Sequence, residues 1–244
     1  MKWLNILGLA AVITVNALAN ILPINGMSTG QVAALYPNLF TPAGITFSIW
    51  TIIYLFLTGY CIYPFISSDN KKAVSLSGLF LLTCLLNCSW ILVWHHLLIE
   101  WSLVIMILLL ITLYMIYVKI HSWQPHSKRE KWLVYKPFSI YLAWISVATI
   151  ANIAALLSAY DFSPPSPQNW VIAMVIATQL LVYLISKKYR DIAFALVIIW
   201  ALIGIMLKNT DAELTFQPVT IACILAIIFD AWVALHYRYR KTVT

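Results

Sequence analysis

Eight stretches of the chain are almost unbroken runs of apolar residues: 3–22, 43–66, 74–98, 101–120, 137–159, 169–187, 191–207 and 216–237. Each is close to the ~20 apolar residues a helix needs to cross a hydrocarbon core of about 30 Å. In lipid a segment must satisfy its own backbone N–H and C=O groups, so these runs are helices and not open sheet. None alternates apolar and polar positions as a membrane-barrel strand does. The pattern predicts an all-α polytopic bundle of eight transmembrane helices.

Charge placement orients the bundle. With eight crossings, Lys2, Lys71, Lys72, Lys119, Lys128, Arg129, Lys131, Lys136, Lys187, Lys188, Arg190, Arg238, Arg240 and Lys241 share one side. Of the 15 Lys and Arg only Lys208 falls on the other. Basic residues favour the cytoplasmic side, so both termini are expected inside, in a bacterial plasma membrane; an odd number of spans would destroy the alternation. Composition narrows the class further. Hydrophobic residues make up 63% and charged residues 9%, against about 45–50% and about 25% in soluble domains. This excludes a soluble enzyme and a nucleic-acid-binding domain, and the net charge of +7 is read as a topology signal. The lipid bilayer is the expected partner, with a hydrophobic small molecule and a second copy of the chain as further candidates.

Three connections refine the picture. Lys2 followed by an apolar run and Ala17-Leu18-Ala19 has the outline of a cleaved signal. Asn16 and Asn20, one turn apart, instead suit a helix packed against neighbours. Between the first two runs, Ser28-Thr29-Gly30-Gln31 has the form of a capping box. It predicts a short helix near 29–35, in a segment that is either a plain interfacial loop or a lid over a cavity. Ser163-Pro164-Pro165-Ser166-Pro167 is a stiff connector. It divides the chain into a five-helix unit, 1–160, and a three-helix unit, 161–244.

Aromatic and amide residues then recur at helical spacing. Trp50 and Tyr54 are one turn apart in the second run, Asn87 and Trp90 share a face of the third, and Trp101 opens the fourth. In the fifth, Tyr141, Trp144, Ala148 and Asn152 form one stripe. Such stripes line an apolar cavity with a few polar handles, or else pack the bundle. Trp3, Trp123, Trp132 and Trp170, near run ends, read as interfacial anchors.

This ordered set resembles the tryptophan-rich sensory protein family (TspO/MBR) over roughly residues 1–160. The resemblance implies a five-helix bundle with a pocket for hydrophobic ligands, here extended by three helices. It implies porphyrin, haem or sterol-like ligands, sensing or transport-related regulation, and a proposed porphyrin-degrading activity. It also implies that Trp50, Tyr54, Asn87, Trp90, Trp101, Trp144, Ala148 and Asn152 lie in or beside the pocket. The stretch from Leu35 to Ala43 departs from the family pattern in having no tryptophan.

Other residues suggest other chemistry. Asp230 is the one acid well inside a run, and an intramembrane acid marks a coupling group or a neutral, hydrogen-bonded carboxyl. Asn16, Asn20 and Gln179 are candidate partners for it. His96 and Glu100, beside His95, have the spacing of a metal pair but no third ligand. Cysteines, histidines and serines are too dispersed for a nucleophile with its base, so no catalytic residue is assigned. The expected function is a membrane receptor or sensor for a hydrophobic, planar small molecule. The alternatives are an ion- or proton-coupled transporter using Asp230, and a membrane enzyme acting on a tetrapyrrole or lipid.

Overall fold

The computed structural model describes residues 1–67, 70–123, 127–162, 164–210 and 217–239. Among the described residues, eight helices are long and apolar enough to cross a membrane. They are α1 (Lys2–Ile21), α3 (Ile49–Ile66), α5 (Ser77–His95), α6 (Ile99–His121), α8 (Lys136–Ala159), α9 (Pro167–Tyr189), α10 (Ile192–Thr210) and α11 (Gln217–Tyr239). Three short helices complete the order: α2 (Thr29–Ala34), α4 (Lys71–Val74) and α7 (Lys128–Glu130). No strand occurs among the described residues. The chain is thus an all-α integral membrane bundle, as its apolar runs predict.

The basic stretch before the fifth span is more ordered than a plain loop. Ser127 caps α7 by accepting the Glu130 N–H at 3.0 Å. A wide helical turn, Lys131–Tyr135, then leads without a break into α8. Ser-x-x-Glu is the signature of such a start, and here the charges around it hide it.

α8 is the central helix: the span that contains it, Lys128–Ala159, has the largest buried share of any span. It packs against α3, α6 and α10. Its sequence allows this because small residues, including Ala143, Ser146, Ala151, Ala154 and Ala155, let neighbours approach. The Ser146 and Thr149 hydroxyls donate to the carbonyls of Leu142 and Ile145, so neither is left bare. Side-chain amides bridge the first helices. Asn5 donates to Ser77 Oγ at 2.9 Å. Asn16 donates to Asn87 Oδ1 at 2.8 Å, and Asn87 donates to Tyr141 Oη at 3.0 Å, a chain running α1–α5–α8.

The last three helices pack on one another, and α10, more than α9, joins them to α8. The joint is fixed by Asp191, in the two-residue link between α9 and α10. Its carboxylate accepts from the Tyr117 hydroxyl of α6 at 2.9 Å, from Lys136 Nζ of α8 at 3.1 Å and from the Ala193 N–H at 3.1 Å. Burial alone would raise this carboxyl, but the Lys136 ammonium and the Tyr117 hydroxyl outweigh it and hold Asp191 below the usual carboxylate range.

A carboxyl held down in the fold adds stability at pH values above its unfolded pKa of about 4, and that stability is lost as pH falls through the folded value. Asp191→Ala strands a half-buried ammonium and a buried hydroxyl, a loss of about 3–5 kcal/mol. The melting temperature of the detergent-purified variant should fall clearly at pH 7, with the gap to the parent closing below about pH 4. Equal melting temperatures at pH 7 would remove Asp191 as the joint.

Candidate functional site

The connection between α1 and α3 is a lid. Its short helix α2 forms because Ser28 and Gln31 cap it reciprocally: Ser28 Oγ accepts the Gln31 N–H at 3.3 Å, and Gln31 Oε1 accepts the Ser28 N–H at 2.7 Å. The rest of the lid has little α-helix, so its polar groups are taken up by its own Asn38, by Ser158 of α8 and by side chains of two other spanning helices. At the end of α5, His95 Nδ1 donates to the Ile24 carbonyl at 3.1 Å, and Nε2 accepts from the Thr29 hydroxyl at 3.0 Å. The Trp94 indole donates to the Thr29 carbonyl at 3.3 Å.

α10 holds the other half. The Trp200 indole donates to the Thr46 carbonyl at 2.9 Å, and the Ala43 N–H donates to the Gly204 carbonyl at 2.9 Å. Lys208 donates to the Asn38 carbonyl at 3.1 Å and Asn209 to the Leu39 carbonyl at 3.0 Å. Trp200, Gly204 and Lys208 are spaced by four, so they form one stripe on the helix. Gly204 is required there for space: a Cβ would run into the Thr46 side chain.

Beneath the lid is a cavity of about 50 Å³. Its walls are Trp50 of α3, Trp90 and Trp94 of α5, and Trp144, Ala148 and Asn152 of α8, while Thr29, Ala33, Thr41 and Pro42 form the roof. The space exists because α8 presents Ala148, Ala151 and Ala155 to large rings. Trp90 stacks on Trp94 at 5.6 Å, and Trp144 meets Phe47 and Trp50 edge to face at 5.9 and 6.3 Å. The indole N–H groups of Trp90 and Trp144 and the Asn152 amide nitrogen are buried without a hydrogen-bond partner. Such groups are rare in native interiors, and here three donors surround one cavity. Beyond Phe47 and Trp50, which border both spaces, a groove of about 480 Å³ runs past Asn16 and Asn20 of α1 and Thr51 and Tyr54 of α3.

A family model described as TSPO-like protein matches residues 2–235. The chain belongs to the TSPO-like family. The match continues past the first five helices, to which the residue-level resemblance extended, through α9, α10 and most of α11. No curated protein and no solved structure matches the chain.

Of the residues expected at the pocket of this TSPO-like chain, Trp50, Trp90, Trp144, Ala148 and Asn152 do converge on the cavity. Tyr54 stacks on Trp50 at 5.6 Å but lines the outer groove. Asn87 is buried, and its amide is used between α1 and α8, so it holds the wall together and lies outside the lining. Trp101 is not brought to the site. It is 60% exposed, because α6 buries the face of Ile99, Ser102 and Met106 and turns position 101 outward. Trp94 was missed, although its spacing of four from Trp90 was the available signal. Apart from the Ser28–Gln31 capping box, the lid residues and Gly204 carry no local signal.

Asp230 is fully buried away from the cavity, between α11 and α9. The Gln179 amide nitrogen, turned as its hydrogen bonds require, donates to Asp230 Oδ1 at 2.6 Å and to the Ala226 carbonyl at 3.3 Å. Asn16 and Asn20, the other candidate partners, belong to α1. His95 is taken up by the lid, His96 Nδ1 donates to the Leu92 carbonyl, and Glu100 accepts from the Tyr160 hydroxyl at 2.7 Å.

The close approach at Gly204 can be separated from ordinary helix effects. Gly204→Ala should lower the melting temperature and expose the lid to protease. Gly78→Ala, in α5, meets nothing within 4 Å and should leave both unchanged or slightly improved. Equal behaviour of the two variants would mean that α10 does not clamp the lid.

Proposed function

We propose that the chain is a membrane receptor or sensor that binds an apolar small molecule carrying a hydrogen-bond acceptor. The observation that supports this most is the pair of unpartnered, buried indole N–H groups, Trp90 and Trp144, on one apolar cavity under a clamped lid. An unsatisfied buried donor costs about 1–3 kcal/mol, so a carbonyl or carboxylate oxygen reaching these donors recovers energy that the empty fold forgoes. Flat conjugated bodies stack on tryptophan faces, which favours a planar ligand.

Size sharpens the reading. The cavity of about 50 Å³ takes a ligand's polar end, whereas pockets for whole ligands run about 300–1,000 Å³. The remaining room lies in the groove of about 480 Å³ beyond Phe47 and Trp50. Rotation of those two rings joins the spaces, so the ligand enters sideways between α1 and α3, from the lipid. A porphyrin, haem or sterol fits only the joined space.

The test is tryptophan quenching of the purified protein with a matched pair, fluorenone against fluorene, which differ in one carbonyl. Fluorenone should bind more tightly. Trp144→Phe keeps a ring but removes the N–H, and should weaken fluorenone by up to about tenfold while leaving fluorene unchanged. Ala148→Phe fills the cavity and should abolish binding of both at a retained melting temperature. Equal affinities that neither variant alters would refute the reading.

A further inference from the structure

Where α6 ends and α8 begins, the bundle carries a second cleft, of about 870 Å³. No residue lines both this cleft and the aromatic cavity. α8 forms its floor through Lys136, while α3 and α10, which both pack on α8, flank it with Phe56 and Leu196. Lys128, Lys131 and Arg190 line its mouth. Trp132 stacks on Phe56 at 6.2 Å and is 58% exposed, as aromatics at headgroup level are.

The charge in this cleft is unbalanced. Asp191 is the one acid in the lining, and its carboxylate is already shared by Lys136, Tyr117 and the start of α10. Among the described residues the side chains of Lys128, Lys131 and Arg190 have no ion-pair or hydrogen-bond partner. Arg190 also holds the left-handed conformation, φ 53° and ψ 43°, at the end of α9. Glycine is the ordinary occupant there, and strained residues gather at functional sites. The strained residue here carries a cation to the mouth of a basic cleft.

We propose that this cleft binds an anionic phospholipid, its phosphate at Lys128, Lys131 and Arg190 and an acyl chain along Phe56 and Leu196. Basic pockets between transmembrane helices recognise anionic headgroups in this way. A free phosphate shares the headgroup chemistry but has no use for the apolar walls, so the lipid is the occupant. The proposal is independent of the aromatic cavity and of its ligand.

The test is native mass spectrometry of the full, delipidated chain titrated with phosphatidylglycerol, with phosphatidylcholine of the same acyl chains, or with inorganic phosphate. Phosphatidylglycerol should bind at least about tenfold more tightly than phosphatidylcholine, with inorganic phosphate weaker than either. Lys128→Ala with Lys131→Ala should weaken phosphatidylglycerol by about 25-fold, about fivefold per charge. Arg190→Gly should weaken it about fivefold at an equal or higher melting temperature, which excludes unfolding as the cause. Lys71→Ala with Lys72→Ala, an equal loss of charge elsewhere, should change nothing. Equal binding of the two lipids, equal losses in the two double variants, or inorganic phosphate binding as tightly as phosphatidylglycerol would each overturn the proposal.

Discussion

Irregular backbone at the edge of a bilayer has to find its hydrogen bonds in protein, and the lid of this bundle finds them in its own Asn38 and in side chains of other helices. The Ser28–Gln31 box satisfies only the start of α2. The carbonyls of Ile24 and Thr29 depend on His95 and Trp94, and those of Asn38, Leu39 and Thr46 on Lys208, Asn209 and Trp200. The cavity exists because this roof is held off the alanines of α8 while four tryptophans stand around it. Loosening either anchor would let the roof collapse or open, and the aromatic walls alone would then define no site.

This arrangement gives the last three helices a role. α10 has two faces: one packs with α9 and α11, and the other carries the stripe that grips the lid and meets α8. Asp191 sets the start of α10 against α6 and α8, and Lys208 and Asn209 hold its other end to the lid. A shift of α10 therefore reaches the roof of the cavity directly. Asp230 and Gln179 lie within the packing of α9 and α11, away from the lining of the cavity.

What the sequence made legible was local. Eight apolar runs declare eight helices, and the Ser28–Gln31 box declares α2, because each pattern is complete within a few residues. Of the stripe on α8, Trp144, Ala148 and Asn152 face the cavity while Tyr141 takes the Asn87 amide; α8 is buried on nearly every face, so any stripe on it meets protein. Trp101 turns away from the cavity, and the sequence hides this for the converse reason: an apolar helix end with one exposed face gives no sign of which way a single tryptophan turns. Asn87 has the composition of a ligand contact, and only its distance partners Asn16 and Tyr141 show that its capacity is spent. Gly204 against Thr46 joins residues over 150 positions apart, and no periodicity records such a meeting.

The central claim is that α5 and α10 clamp the lid shut over the cavity. Hydrogen–deuterium exchange across residues 38–48 in lipid nanodiscs tests it most directly. The account predicts amide protection well above that of a free loop, strongest at Ala43, whose N–H donates to the Gly204 carbonyl, and selective loss of that protection in Trp200→Phe with Lys208→Ala. Exchange of this segment at the rate of an unstructured chain would contradict it.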